Sequence, residues 1–72
     1  MDVVGTWKGR HANALQRAFR LTNEGFADRL GVAVRTVAKW NARPDLEQVP
    51  EMQQVLDTVL SQAPGEVKAR FA

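Results

Sequence analysis

The chain has 72 residues, no cysteine, a formal net charge of +2, and a composition of 44% hydrophobic and 25% charged residues. This length predicts one small domain with a core near the lower limit for independent folding, which argues against a deep enzyme pocket. The absence of cysteine excludes disulfides and thiolate metal sites, and no signal or membrane-spanning segment is recognisable, which predicts a cytoplasmic protein.

An amphipathic first helix is predicted over roughly Trp7 to Arg20. Its apolar and boundary positions recur at steps of three and four, at Trp7, His11, Ala12, Leu15, Ala18 and Phe19. We expect His11, the only histidine, at the boundary of this helix. One face of the helix should therefore contribute to the core.

Two shorter helices are predicted next. Thr22 is a favourable N-cap for a second helix that ends at Leu30, and Gly31 can adopt the positive φ that closes it. A third helix is predicted from about Val34 to Ala42, because it must stop before Pro44. The positions predicted to face inward are Phe26, Ala27, Leu30, Val37 and Trp40.

The segment between these two helices has the spacing of a tight crossing. Ala27 lets a second helix approach closely, Gly31 permits the turn, and Val37 faces back into the crevice. Together these residues predict a helix-turn-helix.

A loop from Arg43 to Val49 and a fourth helix are predicted in the second part of the chain. Pro50 suits the first turn of a helix, and Glu51 is favourable beside its N-terminus. One apolar stripe, expected to cover the first three helices, is formed by Met52, Val55, Leu56, Val59 and Leu60.

A short terminal segment follows the chain break at Pro64 and Gly65. The residues from Glu66 to Ala72 are predicted to form the first turns of another helix. Phe71 lies close to the end, which suggests either a dimer contact or a domain cut from a longer protein. The sequence leaves both alternatives open.

The charge is divided unevenly along the chain. Residues 1–43 contain eight bases and three acids, a net charge of +5, whereas residues 44–72 contain two bases and five acids, a net charge of −3. The basic part contains the predicted helix-turn-helix. This distribution favours a polyanion at that end, and solvated helix faces that happen to segregate are the alternative explanation.

The run from Leu21 to Trp40 resembles the helix-turn-helix domains of Cro and lambda repressor, the XRE family. The matching features are a capped helix with Phe-Ala, then Leu-Gly-Val, then Thr-Val and a Trp. The resemblance implies an all-α fold, a compact lambda-repressor-like domain of four to five helices in which helices 2 and 3 form the motif. Residues 1–72 are then a single domain, either complete or the N-terminal DNA-binding part of a longer protein.

The resemblance also implies sequence-specific binding of double-stranded DNA by a transcriptional regulator. It places the third helix in the major groove, with the base contacts at Val34, Arg35, Ala38 and Lys39. The planar fork of Arg35 can donate two hydrogen bonds to guanine O6 and N7. The phosphate contacts that the resemblance implies are Thr22, Asn23, Thr36 and Arg43.

Several positions depart from the family pattern. Ala33 occupies the usual cap position of the third helix. Gln16 and Asn41 stand where the family often pairs an arginine with a glutamate, so we predict a neutral hydrogen bond between their side chains. The loop after the third helix is acidic at Asp45 and Glu47, which weakens one expected phosphate clamp.

The sequence also bears on two function classes other than DNA binding. No enzyme is predicted, because the chain has no glycine-rich phosphate loop and no histidine pair, and Glu24 and Asp28 are expected on a solvated face. No cofactor or metal is expected. The main alternative is a protein-interaction module that retains the helix-turn-helix fold and binds a protein through its acidic second part and apolar fourth helix.

A homodimer is also expected on the DNA-binding interpretation. Recognition by one small helix is usually too weak alone, and relatives dimerise on two half-sites about one helical turn apart. The fourth helix or the terminal segment is the expected contact.

Overall fold

The computed structural model describes residues 5–72, and these residues form five helices. The helices are α1 (Gly9–Phe19), α2 (Asn23–Leu30), α3 (Val34–Ala42), α4 (Pro50–Ser61) and α5 (Gly65–Phe71). Within this part of the chain there is no β-strand, and the backbones of Lys8 and Glu47 form one isolated antiparallel bridge. Residues 1–4, which include Asp2 of the charge count, lie outside the described residues. The predicted all-α class is confirmed.

One hydrophobic core joins α1, α2, α3 and α4. All five positions predicted to face inward on α2 and α3 are buried, and the rings of Phe26 and Trp40 meet edge to face with centroids 6.4 Å apart. From α4, Leu56 and Leu60 are buried in the same core, whereas Met52, Val55 and Val59 are only partly buried. A smaller cluster is formed by Ala18 of α1, Ala63 in the connection between α4 and α5, and Val67 of α5.

The first helix begins two residues later than predicted. Trp7 precedes α1 and is fully buried. It lies outside the helix because its backbone hydrogen bonds go to Gln53 of the fourth helix and to Gln48 instead of to the first turn of α1. Its N–H donates to Gln53 Oε1 at 2.6 Å, and its carbonyl accepts from Gln53 Nε2 and from the Gln48 N–H, both at 3.0 Å. The periodicity correctly marked Trp7 as a core residue but wrongly placed it inside the helix.

The corners after α1 and α2 both use left-handed backbone. Gly31 has φ 74° and closes α2 as predicted. Arg20, predicted as the last helical residue, instead adopts φ 59° just after α1, and its N–H bonds to the Arg17 carbonyl oxygen at 3.0 Å. This conformation costs a non-glycine residue roughly 1 kcal/mol, which the packing of the following helix must offset. Thr22 then caps α2.

The terminal helix packs against the same molecule. Phe71 stacks on Trp7 with ring centroids 5.8 Å apart and an interplanar angle of 28°. The Arg70 Nε–H donates to the Ala18 carbonyl oxygen at 2.7 Å and so ties α5 to α1. The Phe71 ring therefore has an aromatic partner inside the molecule, and its two alternative explanations, a dimer contact or a domain cut from a longer protein, stay predictions.

None of the helices in residues 5–72 combines the length and the apolar character needed to span a membrane.

The start of α1 carries a pH-sensitive hydrogen bond. His11 Nδ1 accepts the Lys8 N–H at 3.0 Å. Lys8 is the N-cap and His11 the third residue of the helix, the two positions that a capping box joins. Burial, followed by the positive charges of Arg10 and Lys8, lowers the pKa of His11 below its usual 6.5. The predicted boundary position is confirmed, since His11 is half-buried.

We expect this histidine to make the protein less stable in mild acid. A lowered pKa means that the unfolded chain binds a proton more readily, so stability is full above pH 6.5 and falls as the pH decreases toward the folded-state pKa. Thermal unfolding at pH 7.5 and 5.5 measures the effect, above the range in which ordinary carboxyls titrate. In His11→Gln the amide oxygen can accept the same N–H without titrating, so this dependence should flatten. An equally steep dependence in that variant would exclude His11 as its source.

Candidate nucleic-acid interface

The outer face of α3 presents the four residues predicted to contact bases. Arg35, Ala38 and Lys39 are exposed, and Val34 is 42% exposed although it is apolar. Arg35 and Lys39 are four residues apart, about 6 Å along the axis and on the same side. The opposite side is anchored in the core by Val37 and Trp40. The structure therefore brings all four residues to one surface of a firmly held helix.

The basic residues of this chain differ in whether the fold engages their side chains. Three guanidinium groups are engaged within the fold: Arg10 pairs with Asp45, Arg29 lies 4.4 Å from the Phe19 ring centroid, and Arg70 bonds to α1. By contrast, α3 and its C-cap carry cations that pair with no carboxylate among residues 5–72, at Arg35, Lys39 and Arg43. The positive charge of α3 is therefore available to an external anion.

One of the two acids in the loop after α3 has a cationic partner within the fold. Asp45 is paired with Arg10 at the start of α1, and this is the only ion pair within residues 5–72. Glu47 stays exposed, with its backbone bridged to Lys8. Of the two acids that weaken the expected phosphate clamp, one thus has a cation beside it, in an exposed pair.

The start of α2 has polar groups that can meet a phosphate. Thr22 is the N-cap, as predicted, and its Oγ accepts the Gly25 N–H at 3.1 Å, which leaves the hydroxyl hydrogen available. Asn23 is half-buried, and its Oδ1 accepts from Gln16 Nε2 at 2.8 Å. Its Nδ2 has no acceptor among residues 5–72. Both side chains therefore offer donors, although Glu24 places a negative charge in the same turn.

The start of α3 lacks a side-chain cap. Ala33 is exposed and adopts the extended backbone of an N-cap, with φ −72° and ψ 146°, but it has no side-chain acceptor for the first N–H groups. The missing cap costs about 1 kcal/mol relative to Ser or Thr. This confirms the departure that the sequence indicated.

The remaining predicted phosphate contacts lie at different depths. Thr36 is half-buried on α3, and Arg43 is exposed at its C-cap. No geometric feature singles out Thr36, whereas the guanidinium of Arg43, which pairs with no carboxylate in residues 5–72, extends the basic surface beyond the end of the helix.

A chain of amide side chains links α1 to α2 and α3. The predicted hydrogen bond is present: Asn41 Nδ2 donates to Gln16 Oε1 at 3.4 Å. Asn41 Nδ2 also donates to Asn13 Oδ1 at 2.7 Å, and Asn13 Nδ2 donates to the Trp40 carbonyl oxygen at 3.0 Å. A neutral network therefore occupies the place of the ion pair that the resemblance would suggest.

Two of the residues beside α3 were missed by the sequence reasoning. A shallow cleft between α1 and α3 is lined by Asn13, Gln16, Arg17 and Asn41. Asn13 and Arg17 were overlooked, although their spacing from Gln16 places all three on one polar face of α1. Arg17 is exposed and adds a further cation beside the basic surface of α3.

Comparison of the chain with protein-family models, curated proteins and solved structures finds no match. In the described part of the chain, no group of three or more His, Asp or Glu side chains is placed to hold a metal ion.

Proposed function

We propose that this domain binds double-stranded DNA sequence-specifically, as a transcriptional regulator of the kind that the Cro and lambda-repressor resemblance implies. In this proposal α2 and α3 act as a helix-turn-helix, and α3 enters the major groove. The observation that carries the proposal is the exposed pair Arg35 and Lys39, whose charges have no carboxylate partner within residues 5–72. A solvated surface helix would gain from acidic neighbours, and this one has none on α3 itself.

The proposed contacts fall into two kinds. Arg35 reads a guanine through its two parallel donors, Lys39 reaches the same groove, and Val34 and Ala38 pack against thymine methyl groups or shape the interface. Thr22, Asn23, Thr36 and Arg43 hold the phosphates on either side. Phosphate contacts set the position on the duplex and base contacts provide the sequence preference.

Selection of bound sequences from a random duplex pool, followed by titration of Arg35 variants, tests the base contact. We expect Arg35→Ala to bind the selected duplex about tenfold or more weakly, because a bidentate guanine contact contributes about 1–3 kcal/mol of discrimination. Arg35→Lys keeps the charge but loses the fork, so it should retain general affinity and lose preference at one guanine. Unchanged preference at every position in both variants would contradict the assignment.

The salt dependence of binding separates phosphate neutralisation from base reading. Each neutralised phosphate adds about 0.9 to the slope magnitude of log affinity against log salt. We include Arg43→Ala in the same titrations, with Lys68→Ala on α5 as a control that removes one positive charge outside the proposed surface. A smaller slope only for the Arg43 variant supports the clamp, and no binding by the unmodified protein at low salt contradicts DNA binding altogether.

A protein-interaction module is the second proposed function, supported by the surface of α4. An open groove on this helix is lined by Glu51, Gln54, Val55, Thr58 and Val59, and the neighbouring Val49 is 61% exposed. The groove contains apolar and acidic groups and no base, which suits a protein surface better than a nucleic acid. Failure to bind duplex at low salt is the result that would favour this function.

On the DNA-binding proposal, two copies occupy adjacent half-sites through contacts of α4 or α5. The apolar groove of α4 supports this contact, whereas Phe71 does not, because its ring is stacked on Trp7. The number of protein chains per selected duplex, measured by sedimentation, tests the arrangement.

A further inference from the structure

We propose that Gln16 is a positioning residue for DNA binding, which fixes the Asn23 amide with its N–H donors directed at the backbone phosphate. This inference rests on the proposed function and deepens it. Asn23 is one of the proposed phosphate contacts, whereas Gln16 lies on α1, outside the predicted helix-turn-helix.

The geometry defines the polarity of the amide. Gln16 Nε2 donates to Asn23 Oδ1 at 2.8 Å and to the Leu21 carbonyl oxygen at 3.3 Å. With its oxygen held by Gln16, the Asn23 side chain presents its Nδ2–H groups as the remaining free functional group. An asparagine without this restraint can turn its oxygen outward, and that oxygen would repel a phosphate.

The other end of Gln16 is fixed from the third helix. Gln16 Oε1 accepts from Asn41 Nδ2, which also donates to Asn13 Oδ1. Because a backbone carbonyl oxygen can only accept, the Leu21 carbonyl requires the Gln16 nitrogen on its side, and the Gln16 oxygen then faces Asn41 of α3. The polarity of the Asn23 amide is therefore set by Gln16 and the Leu21 carbonyl oxygen, and it does not require Asn13.

A double-mutant cycle measured on duplex affinity and on stability tests the positioning role. Gln16→Met removes both hydrogen-bonding ends at nearly constant volume, and Asn23→Ala removes the proposed donor. We expect each single variant to bind the selected duplex about tenfold more weakly, since hydrogen bonds to charged groups are the stronger kind. In the Asn23→Ala background, Gln16→Met should cause no further loss of affinity. It should still lower the melting temperature, because it removes the bonds of Gln16 to α3 and to Leu21, which Asn23→Ala leaves intact.

Three further measurements separate positioning from general destabilisation. Asn13→Ala breaks the same network without touching Asn23, so it should lower the melting temperature while affinity at temperatures well below melting stays near that of the unmodified protein. In the free protein, the Asn23 side-chain amide signals in a nitrogen-15 NMR spectrum should move to solvent-averaged positions in Gln16→Met and remain in place in Asn13→Ala. The salt slope of Asn23→Ala should be unchanged, because a neutral amide releases no counterion.

The outcomes distinguish this inference from the proposed function. Equal losses of affinity for Gln16→Met with and without Asn23, or unmoved Asn23 signals, would overturn the positioning role while DNA binding stands. No binding of the unmodified protein to any duplex at low salt would overturn both together.

Discussion

Replacing Gly9 by alanine is expected to lower the free energy of unfolding by about 3 kcal/mol, through forced displacement of packed backbone and loss of the bonds that hold it. A Cβ at Gly9 would overlap the Arg43 carbonyl oxygen and lie 3.0 Å from the Trp40 carbonyl oxygen. These are backbone atoms at the end of α3, so they cannot move aside as a flexible side chain would. The start of α1 must separate from the end of α3.

Two backbone hydrogen bonds depend on this close approach. The Gly9 N–H donates to the Leu46 carbonyl oxygen at 2.8 Å, and the Arg10 N–H donates to the Pro44 carbonyl oxygen at 2.9 Å. The loop after α3 thus satisfies donors that the first turn of α1 would otherwise leave without partners. Separation of the two segments weakens both bonds as well as the packing.

Gly65→Ala is a matched control for this variant. Both glycines are the first residue of a helix, but a Cβ at Gly65 meets nothing within 4 Å. We expect Gly65→Ala to be neutral or slightly stabilising, because alanine restricts the unfolded chain. Thermal unfolding should separate the two by more than 10 °C, at about 4–8 °C per kcal/mol for a domain of this size. Similar melting temperatures for the two variants would contradict the close approach at Gly9.

The local signals in the sequence specified the helices well. Thr22, Gly31 and Pro50 each act through their own backbone or side chain, and α2, α3 and the start of α4 have the predicted bounds. The hydrogen bond between Gln16 and Asn41 was also predicted. The resemblance indicated that these two positions pair, and their amide side chains indicated a neutral hydrogen bond in place of an ion pair.

The features that the sequence did not reveal depend on distant contacts. Gly9 has no turn signal, and its role is visible only when the end of α3 lies against it. The ion pair between Arg10 and Asp45 joins residues 35 positions apart, so the loop was judged too acidic. Arg20 adopts a left-handed conformation that its residue type disfavours, which only the placement of α2 explains. In each case a tertiary contact outweighs the local preference.

On the candidate site, the sequence identified the exposed face of α3 but not its support. Arg35 and Lys39 were found because helical periodicity places them opposite Val37 and Trp40. The freedom of their charges depends on where every carboxylate lies in space, which no spacing rule gives. The polarity of the Asn23 amide likewise depends on a contact with Gln16 of α1 that no spacing rule gives.

Trp7→Ala is expected to lower the free energy of unfolding by about 3–5 kcal/mol, which is most of the stability of a typical small domain. The ring of Trp7 is fully buried and connects α4 with α5. Its Nε1–H donates to Asp57 Oδ1 on α4 at 2.7 Å, and its face stacks on Phe71 of α5. The cavity left by alanine therefore opens between α4 and α5 rather than within one helix.

Trp7→Phe distinguishes the ring from its hydrogen bond. Phenylalanine keeps an aromatic ring against Phe71 but loses the N–H donor and part of the buried indole volume. Asp57 is exposed, so its carboxylate regains water when the bond is lost. We expect a loss of about 1–2 kcal/mol for this variant, well below that of alanine. Urea unfolding followed by the fluorescence of Trp40, which both variants retain, measures the two losses on one probe. An unfolding midpoint for Trp7→Ala equal to that of the unmodified protein would show that the segment before α1 does not belong to the core. The proposed DNA-binding surface would then be stable without this segment.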